Sequence, residues 1–233
     1  MALLTMRPPL LQVLYEDNHL LAVVKPAGLA TMGVALDRPS LLHLARQYVK
    51  RRYQKPGNVY LGVMSRLDAL ATGVVLFART SKAARRLTEQ FRTRGVQKTY
   101  WAIVEAVVQP ETGECADFVV RDERRQRMET AESKAPGAQE ARLTYRRLKT
   151  FGGLSLLEVG LQTGRKHQIR VQLAHRGWPI LGDRKYGSRR AFPAGIALHA
   201  RRLAVVHPIK GEVIEFQAPL PKSWLALGIG EPS

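Results

Sequence analysis

Three residues have types and settings from which a reaction could be built. Asp68 stands in "SRLDALATGVVLFART" (65–80), between a basic residue and a long apolar run, in a chain that is otherwise strongly basic. Two readings fit it. "DALA" can open a short helix after the strand-like "YLGVM", which makes Asp68 a capping or turn aspartate. Alternatively, Leu67 and Leu70 flank a carboxylate that acts as nucleophile or base while a cationic partner keeps it ionised. Cations are available in "QTGRKHQIRVQLAHRG" (162–177), which carries Arg165, Lys166, His167, Arg170, His175 and Arg176. Most of these belong to a solvated basic face. Arg170 lies between Ile169 and Val171 on the apolar side, so it is the one expected to point inward, where it requires a carboxylate. Tyr100 in "QKTYWAIV" is either a core aromatic of a strand or, beside a nucleic-acid site, a platform for an extruded base.

Other chemistries have less to stand on. The six histidines form no H-E-x-x-H pattern, there is no P-loop, and the glycines at 228 and 230 do not make a dinucleotide fingerprint. Neither a metal nor a nucleotide cofactor is expected, and no particular Ser-His-Asp set is specified. Cys115 is the single cysteine, which rules out an internal disulfide framework or a multi-cysteine zinc site and fits a reducing cytoplasm. The opening "MALLTMRPPL" has Arg7 and two prolines and does not read as a signal peptide, and no apolar run approaches a membrane span. Lysine and arginine total 37 against 19 acidic residues, a formal charge of +18, so the expected partner is a polyanion, nucleic acid above all.

The surrounding pattern predicts the elements that must hold these residues. "LQVLYEDNHLLAVVKPAG" alternates on both sides of Glu16, Asp17 and Asn18, as a hairpin does, and ends at Lys25, Pro26 and Gly28. "SLLHLARQYVKRR" and "TSKAARRLTEQFRTRG" are amphipathic helices capped by Ser40 and by Thr80 or Ser81, with arginines and lysines outward. "VVLFA" (74–78) is a strand covered on both faces. "KTYWAIVEAVV", "ARLTYRRL", "LSLLEVGL", "LHARRLAVVH" and "EVIEFQA" are further strands. Residues 121–140 read as an exposed, charged insertion or loop with no more than a short strand end, and "GRKHQIRVQLAHRGW" as a final helix stopped by Gly177. Strands and helices out of strict alternation give an α+β fold with a mixed, mostly antiparallel central sheet and flanking helices. With 45% hydrophobic residues and no obvious linker, one domain over 1–233 is expected.

Taken together, these segments resemble the RluA-type RNA pseudouridine synthases. "YEDNHLLAVVKPAGL" looks like that family's opening hairpin, and "SRLDALATGVVLFA" like its H-R-L-D-x-x-T-S-G motif. "KTYWAIVEA" is similar to its tyrosine strand, "GRKHQIRVQLAHRGWPILGDRKYG" to its T-G-R-x-H-Q-I-R-V-H-L segment with the L-G-D-x-x-Y-G continuation, and "LHARRLAVVHPIKGEVIEFQAPLP" to its closing strands. The blocks keep the family's order from about residue 12 to 221. Ser65 stands where the family usually has histidine, and "ALATG" replaces "R-D-T-S-G".

The resemblance implies a basic central cleft, an isomerase that turns uridine into pseudouridine in ribosomal or transfer RNA without a cofactor, and a short form without the N-terminal S4 module of many relatives. It makes Asp68 the catalytic nucleophile, Tyr100 the tyrosine beside it and Arg170 the arginine that pairs with the carboxylate. Arg66 matches the arginine that helps displace and replace the flipped nucleotide, and Lys98, Arg165, Lys166 and His167 are expected to contact RNA. Tyr100 would stack on the uracil and relay the final C5 proton. Arg184, Lys185, Arg189, Arg190 and the two basic helices would meet phosphates. The expected protein is a cytoplasmic monomer. Two rivals share the same features: an RNA-binding or ribosome-assembly protein without catalysis, and a nucleobase glycosylase.

Overall fold

A computed structural model describes residues 11–35 and 38–230. The first ten residues, on which the reading of the N-terminus rests, lie outside it, as do Leu36, Asp37 and 231–233.

The opening hairpin forms as its alternation predicts. Strands β1 (Gln12–Glu16) and β2 (Leu20–Lys25) pair antiparallel around Asp17, whose carboxylate accepts the backbone N–H groups of His19 and Leu20, both at 2.7 Å. Helix α1 (Leu41–Arg52) follows, with the Ser40 hydroxyl accepting the His43 N–H at 3.2 Å. Strands β3 (Gly62–Val63) and β4 (Thr72–Ala78) bracket the Asp68 segment, and α2 (Ser81–Arg92) begins at the Thr80 cap.

Every residue of β4 is buried, because the two helices cover opposite faces of the same strands. Leu41, Ala45 and Val49 of α1 pack with Leu21, Val23, Val75 and Phe77, while Ala83 and Leu87 of α2 pack with Leu20, Ala22, Val74 and Leu76. Successive side chains of a strand alternate between faces, so a continuous apolar run is what a doubly covered strand requires. Each fully buried leucine or phenylalanine there contributes about 1.5–3 kcal/mol relative to exposure.

The remaining strands are β5 (Gln97–Val104), β6 (Thr112–Asp122), β7 (Arg127–Ala131), β8 (Gln139–Phe151), β9 (Leu154–Leu161), β10 (Leu198–Val206) and β11 (Val213–Gln217). They join one sheet in the order β1-β2-β4-β10-β5-β9-β8-β6-β7, with β11 on β10 and β3 on β4. Among the described strands only β4 and β10 run parallel. The α+β, mostly antiparallel expectation therefore holds. Among the described residues no helix is long and apolar enough to cross a membrane.

Two expectations need correction. Residues 121–140 are not simply an exposed loop: β6 and β7 form a hairpin with Phe118 opposite Ala131 and Asp122 opposite Arg127, and β8 begins at Gln139. The composition hides this because eight of the twenty positions are arginine or glutamate, some of them paired as Arg125 and Arg127 are with Glu129, while only Met128 of β7 is buried. The last long helix, α3 (Gln168–His175), starts later than "GRKH" implies. His167 has a left-handed backbone (φ 53°), and the Gln168 side-chain oxygen accepts both the Arg165 N–H at 3.0 Å and the Thr163 hydroxyl at 2.7 Å. Those bonds close a turn before the helix, so Arg165, Lys166 and His167 project from a loop and not from a helical face.

Candidate active site

Asp68 is held by its neighbours' backbone. Thr31 brackets Leu67, its hydroxyl donating to the Leu67 carbonyl at 3.0 Å and accepting the Leu67 N–H at 3.1 Å. Lys25 is fully buried, and its ammonium donates to the carbonyls of Pro26, Leu29 and Ala69 at 2.7–2.9 Å. Burial pushes that ammonium down to about 8, with the Asp68 charge pulling the other way, so it remains a cation at neutral pH. The Ala71 N–H bonds to the Asp68 carbonyl at 3.1 Å, so the aspartate opens a tight turn into β4. Ser65, where the resembling family has histidine, accepts the Leu76 N–H at 3.0 Å and ties the start of this segment to the strand. The turn reading and the reactive-carboxylate reading of Asp68 are thus compatible: the turn presents the carboxylate.

Arg170 comes from α3, 3% exposed. One edge of its guanidinium makes a two-bond contact with Asp183, Nε to Oδ2 at 2.7 Å and Nη2 to Oδ1 at 2.8 Å. Its remaining Nη1 donates to Asp68 Oδ2 at 2.9 Å. Burial opposes the guanidinium's charge, but the bonds and charge of Asp183, and then Asp68, outweigh it and raise its pKa. One cation thus joins two carboxylates of unlike exposure. The Asp183 side chain is 1% exposed, and that of Asp68 is 25% exposed. The buried carboxylate anchors the arginine, and the arginine orients the accessible one.

Asp183 lies in the turn before a short 3-10 helix, Arg184–Tyr186, and its carbonyl accepts the N–H groups of Tyr186 and Ser188. Tyr186 stacks beneath Arg170, ring centre 4.9 Å from the guanidinium carbon. Its hydroxyl accepts the Met128 N–H of β7 at 3.0 Å and lies 2.8 Å from His167 Nδ1. His167 Nε2 is 3.7 Å from Asp68 Oδ1, the carboxylate oxygen that Arg170 does not touch. Burial pushes the imidazole down to about 4, against the pull of Asp68, so it is neutral at pH 7.

These groups face an open cavity of about 570 Å³, lined by Arg66, Asp68, Lys98, Tyr100, Arg165, Lys166 and His167 among others. A smaller recess within the same region adds Ala71, Ile169, Arg170 and Leu198 to the surroundings of Asp68 and Tyr100. Tyr100 extends from β5, in register with Ala200 of β10 and Val159 of β9. Burial and then the Asp68 charge push its hydroxyl up, which keeps it a neutral phenol. Lys98 is two residues along the same strand, so it points to the same side of the sheet, and burial lowers its pKa with help from Arg94.

The structure therefore gathers the eight residues singled out in the sequence around one cavity, with Arg170 behind Asp68 and the others at the wall. Arg184, Lys185, Arg189 and Arg190 are exposed but do not line it. Sequence reasoning missed the functions of Asp183, Tyr186, Thr31 and Lys25. A signal for Asp183 existed in Arg170 itself: a buried guanidinium has five N–H donors, more than one carboxylate can satisfy.

Comparison with known proteins identifies the family. Residues 19–175 match the family model for RNA pseudouridylate synthase. An uncharacterised RNA pseudouridine synthase of Chloroflexus aurantiacus is 45% identical over 71% of this chain and 52% of its own length. Ribosomal large subunit pseudouridine synthase D of Xanthomonas campestris is 35% identical over 91% of this chain and 66% of its own. The chain thus spans roughly half to two thirds of these relatives. A solved structure of human RNA pseudouridylate synthase domain containing 4 superposes with a TM-score of 0.79 at 27% identity, covering 95% of each chain. With a family model matched over most of its length and relatives this similar across nine tenths of it, the chain belongs to the RNA pseudouridylate synthase family.

Proposed function

We propose that this protein isomerises uridine to pseudouridine in structured RNA, ribosomal or transfer RNA, with Asp68 as its reacting group. The observation that carries the reading is the division of labour in the Asp68 carboxylate: Oδ2 is bound by buried Arg170, and the residue as a whole faces a cavity walled by Tyr100 and rimmed by cations.

The reaction breaks the bond from uracil N1 to ribose C1′, turns the base and forms a bond from C5 to the same carbon. The C5 proton is lost and N1 regains one, so product and substrate are isomers and no redox partner or added group is needed. A glycosidase usually needs a second carboxylate to protonate its leaving group, whereas uracil leaves as a delocalised anion. One aspartate suffices, acting at C1′ or removing a ribose proton to give a glycal. Arg170 keeps that aspartate ionised and aimed. Tyr100, a neutral phenol, is suited to stack on the flipped base; its raised pKa disfavours a phenolate that would take the C5 proton.

Extruding the nucleotide costs a few kcal/mol, and Arg66, Lys98, Arg165 and Lys166 at the cavity wall offset this through the vacated stack and the phosphates. The large-subunit names of several relatives favour ribosomal RNA. A cytoplasmic monomer acting without metal is the simplest form of this reading.

The test is pseudouridine mapping by carbodiimide modification on total RNA from cells making the wild-type protein or Asp68→Asn. Sites lost with Asp68→Asn, at equal protein level, identify activity and substrate together. Unchanged sites would turn the reading to RNA binding without catalysis, and release of free uracil would make the chain a glycosylase.

A further inference from the structure

The hydrogen bonds around His167 point to a role distinct from the RNA contact that the family resemblance implies. We propose that His167 carries its proton on Nε2 and serves as a neutral positioning residue, turning the Asp68 carboxylate so that Oδ1 is the oxygen presented to the ribose. The inference rests on the isomerase reading above for its purpose, but not for its geometry.

The first observation is the backbone. His167 is a non-glycine residue at φ 53°, a left-handed conformation that L side chains seldom adopt. That conformation aims the ring inward from the turn before α3, while its neighbour Lys166 stays exposed.

The second is the position of the proton. Tyr186 is 8% exposed, and its hydroxyl oxygen already accepts the Met128 N–H at 3.0 Å. Among the described residues, His167 Nδ1 at 2.8 Å is the one acceptor within reach of the phenolic proton. Were Nδ1 itself protonated and donating to the phenol, that buried proton would be left without an acceptor, which costs about 1–3 kcal/mol. The phenol therefore donates to Nδ1, and the imidazole proton stays on Nε2, the nitrogen on the Asp68 side.

The third is the division of the carboxylate. Arg170 Nη1 holds Oδ2 at 2.9 Å, whereas Nε2 of His167 stands 3.7 Å from Oδ1. That distance is too long for a hydrogen bond and about half an ångström from one. A donor there limits rotation of the carboxylate about its Cβ–Cγ bond without adding a full charge. Neutrality matters, because an imidazolium beside Arg170 would place two cations on the reacting carboxylate and weaken it as a nucleophile or base. The groups facing the ring are Asp68, Arg170, Lys166, Lys185 and Tyr186, and burial together with the three cations keeps it uncharged.

Two measurements on the full chain test this. Long-range ¹H–¹⁵N correlation NMR at pH 7, with the His167 signals identified by their loss in His167→Gln, reads the tautomer without any substrate. An Nε2–H pattern is expected, and Tyr186→Phe should turn it into a mixture. An Nδ1–H pattern or a charged ring in the wild type, or no change in Tyr186→Phe, would overturn the inference. In kinetics on the RNA that the mapping identifies, His167→Leu should lower kcat roughly 10- to 100-fold with KM nearly unchanged. His167→Gln, which keeps an N–H donor near the Nε2 position, should recover most of the loss. A change in KM alone would return His167 to RNA contact, and equal loss in both variants would make it structural. A wild-type chain that modifies no RNA yet shows the Nε2–H tautomer would sink the isomerase reading and leave the proton where it is placed here.

Discussion

Replacing Asp183 with asparagine should damage the fold far more than replacing Asp68, although both carboxylates touch the same arginine. Asp183 accepts two N–H bonds of Arg170 at 2.7 and 2.8 Å in a setting where neither side chain exceeds 4% exposure. Asparagine offers one oxygen and turns an NH2 toward the guanidinium, so one buried N–H loses its acceptor and the charge pairing is gone. A lost charge-assisted bond together with a buried, partly uncompensated cation costs about 3 kcal/mol. For a chain of 233 residues that is a fall in melting temperature of roughly 6–12 °C.

Asp68→Asn removes one bond of a side chain that is 25% exposed, while Arg170 keeps its two-bond partner. Solvent screening limits that loss to about 1 kcal/mol or less, a shift of roughly 4 °C at most. Differential scanning calorimetry of both variants at pH 7 is the assay, with pseudouridine formation measured in parallel. Asp68→Asn should be inactive and nearly as stable as wild type, and Asp183→Asn unstable and only partly active at low temperature. Equal melting temperatures for the two variants would refute the assignment of Asp183 as the anchor of Arg170.

Three further outcomes follow from the same structure. Gly73→Ala should cost more than about 3 kcal/mol in thermal unfolding, since at φ +120° a Cβ there would come within 2.3 Å of the Ala200 carbonyl oxygen, whereas Gly177→Ala, with open space around it, should cost only about 1 kcal/mol. Burial pushes the Asp17 carboxyl up, but N–H bonds from His19 and Leu20 with contacts from His207 and Tyr15 outweigh it and hold the group at about 2. A folded pKa below the unfolded value gives stability that is complete above about pH 4 and is lost as pH falls toward 2; acid titration of Asp17→Asn should show a flatter curve, by about 1–2 kcal/mol after discounting for partial exposure. Lys98→Met should weaken RNA binding and lower the slope of log affinity against log salt by about one, as measured by filter binding or anisotropy across a salt series; an unchanged slope would remove Lys98 from the phosphate contacts.

Local chemistry made the elements around the site and the inward arginine legible, while the roles of most site residues came from the family resemblance. Apolar runs and caps placed β2, β4, α1 and α2, since the Ser40 and Thr80 hydroxyls sit where helix N–H groups need acceptors. The inward reading of Arg170 followed from its apolar neighbours on α3, and the structure buries it as expected. The β6–β7 hairpin escaped notice because its pairing is carried by backbone bonds and arginine–glutamate contacts, which leave little hydrophobic period. The turn at 165–167 escaped for another reason: its bonds come from the Gln168 side chain, and glutamine serves equally well inside a helix.

The sequence by itself determined the residue types, most of the sheet-forming and helical segments, and an excess of positive charge suited to a polyanion. Only the tertiary structure decided which carboxylate is buried and which is open, because Asp68 and Asp183 are 115 positions apart in the chain and meet through Arg170. Exposure is a property of what packs around a side chain. The anchoring aspartate and the accessible one are chemically identical residues, made different by the 3-10 turn that encloses one and the cavity that leaves the other in reach of solvent.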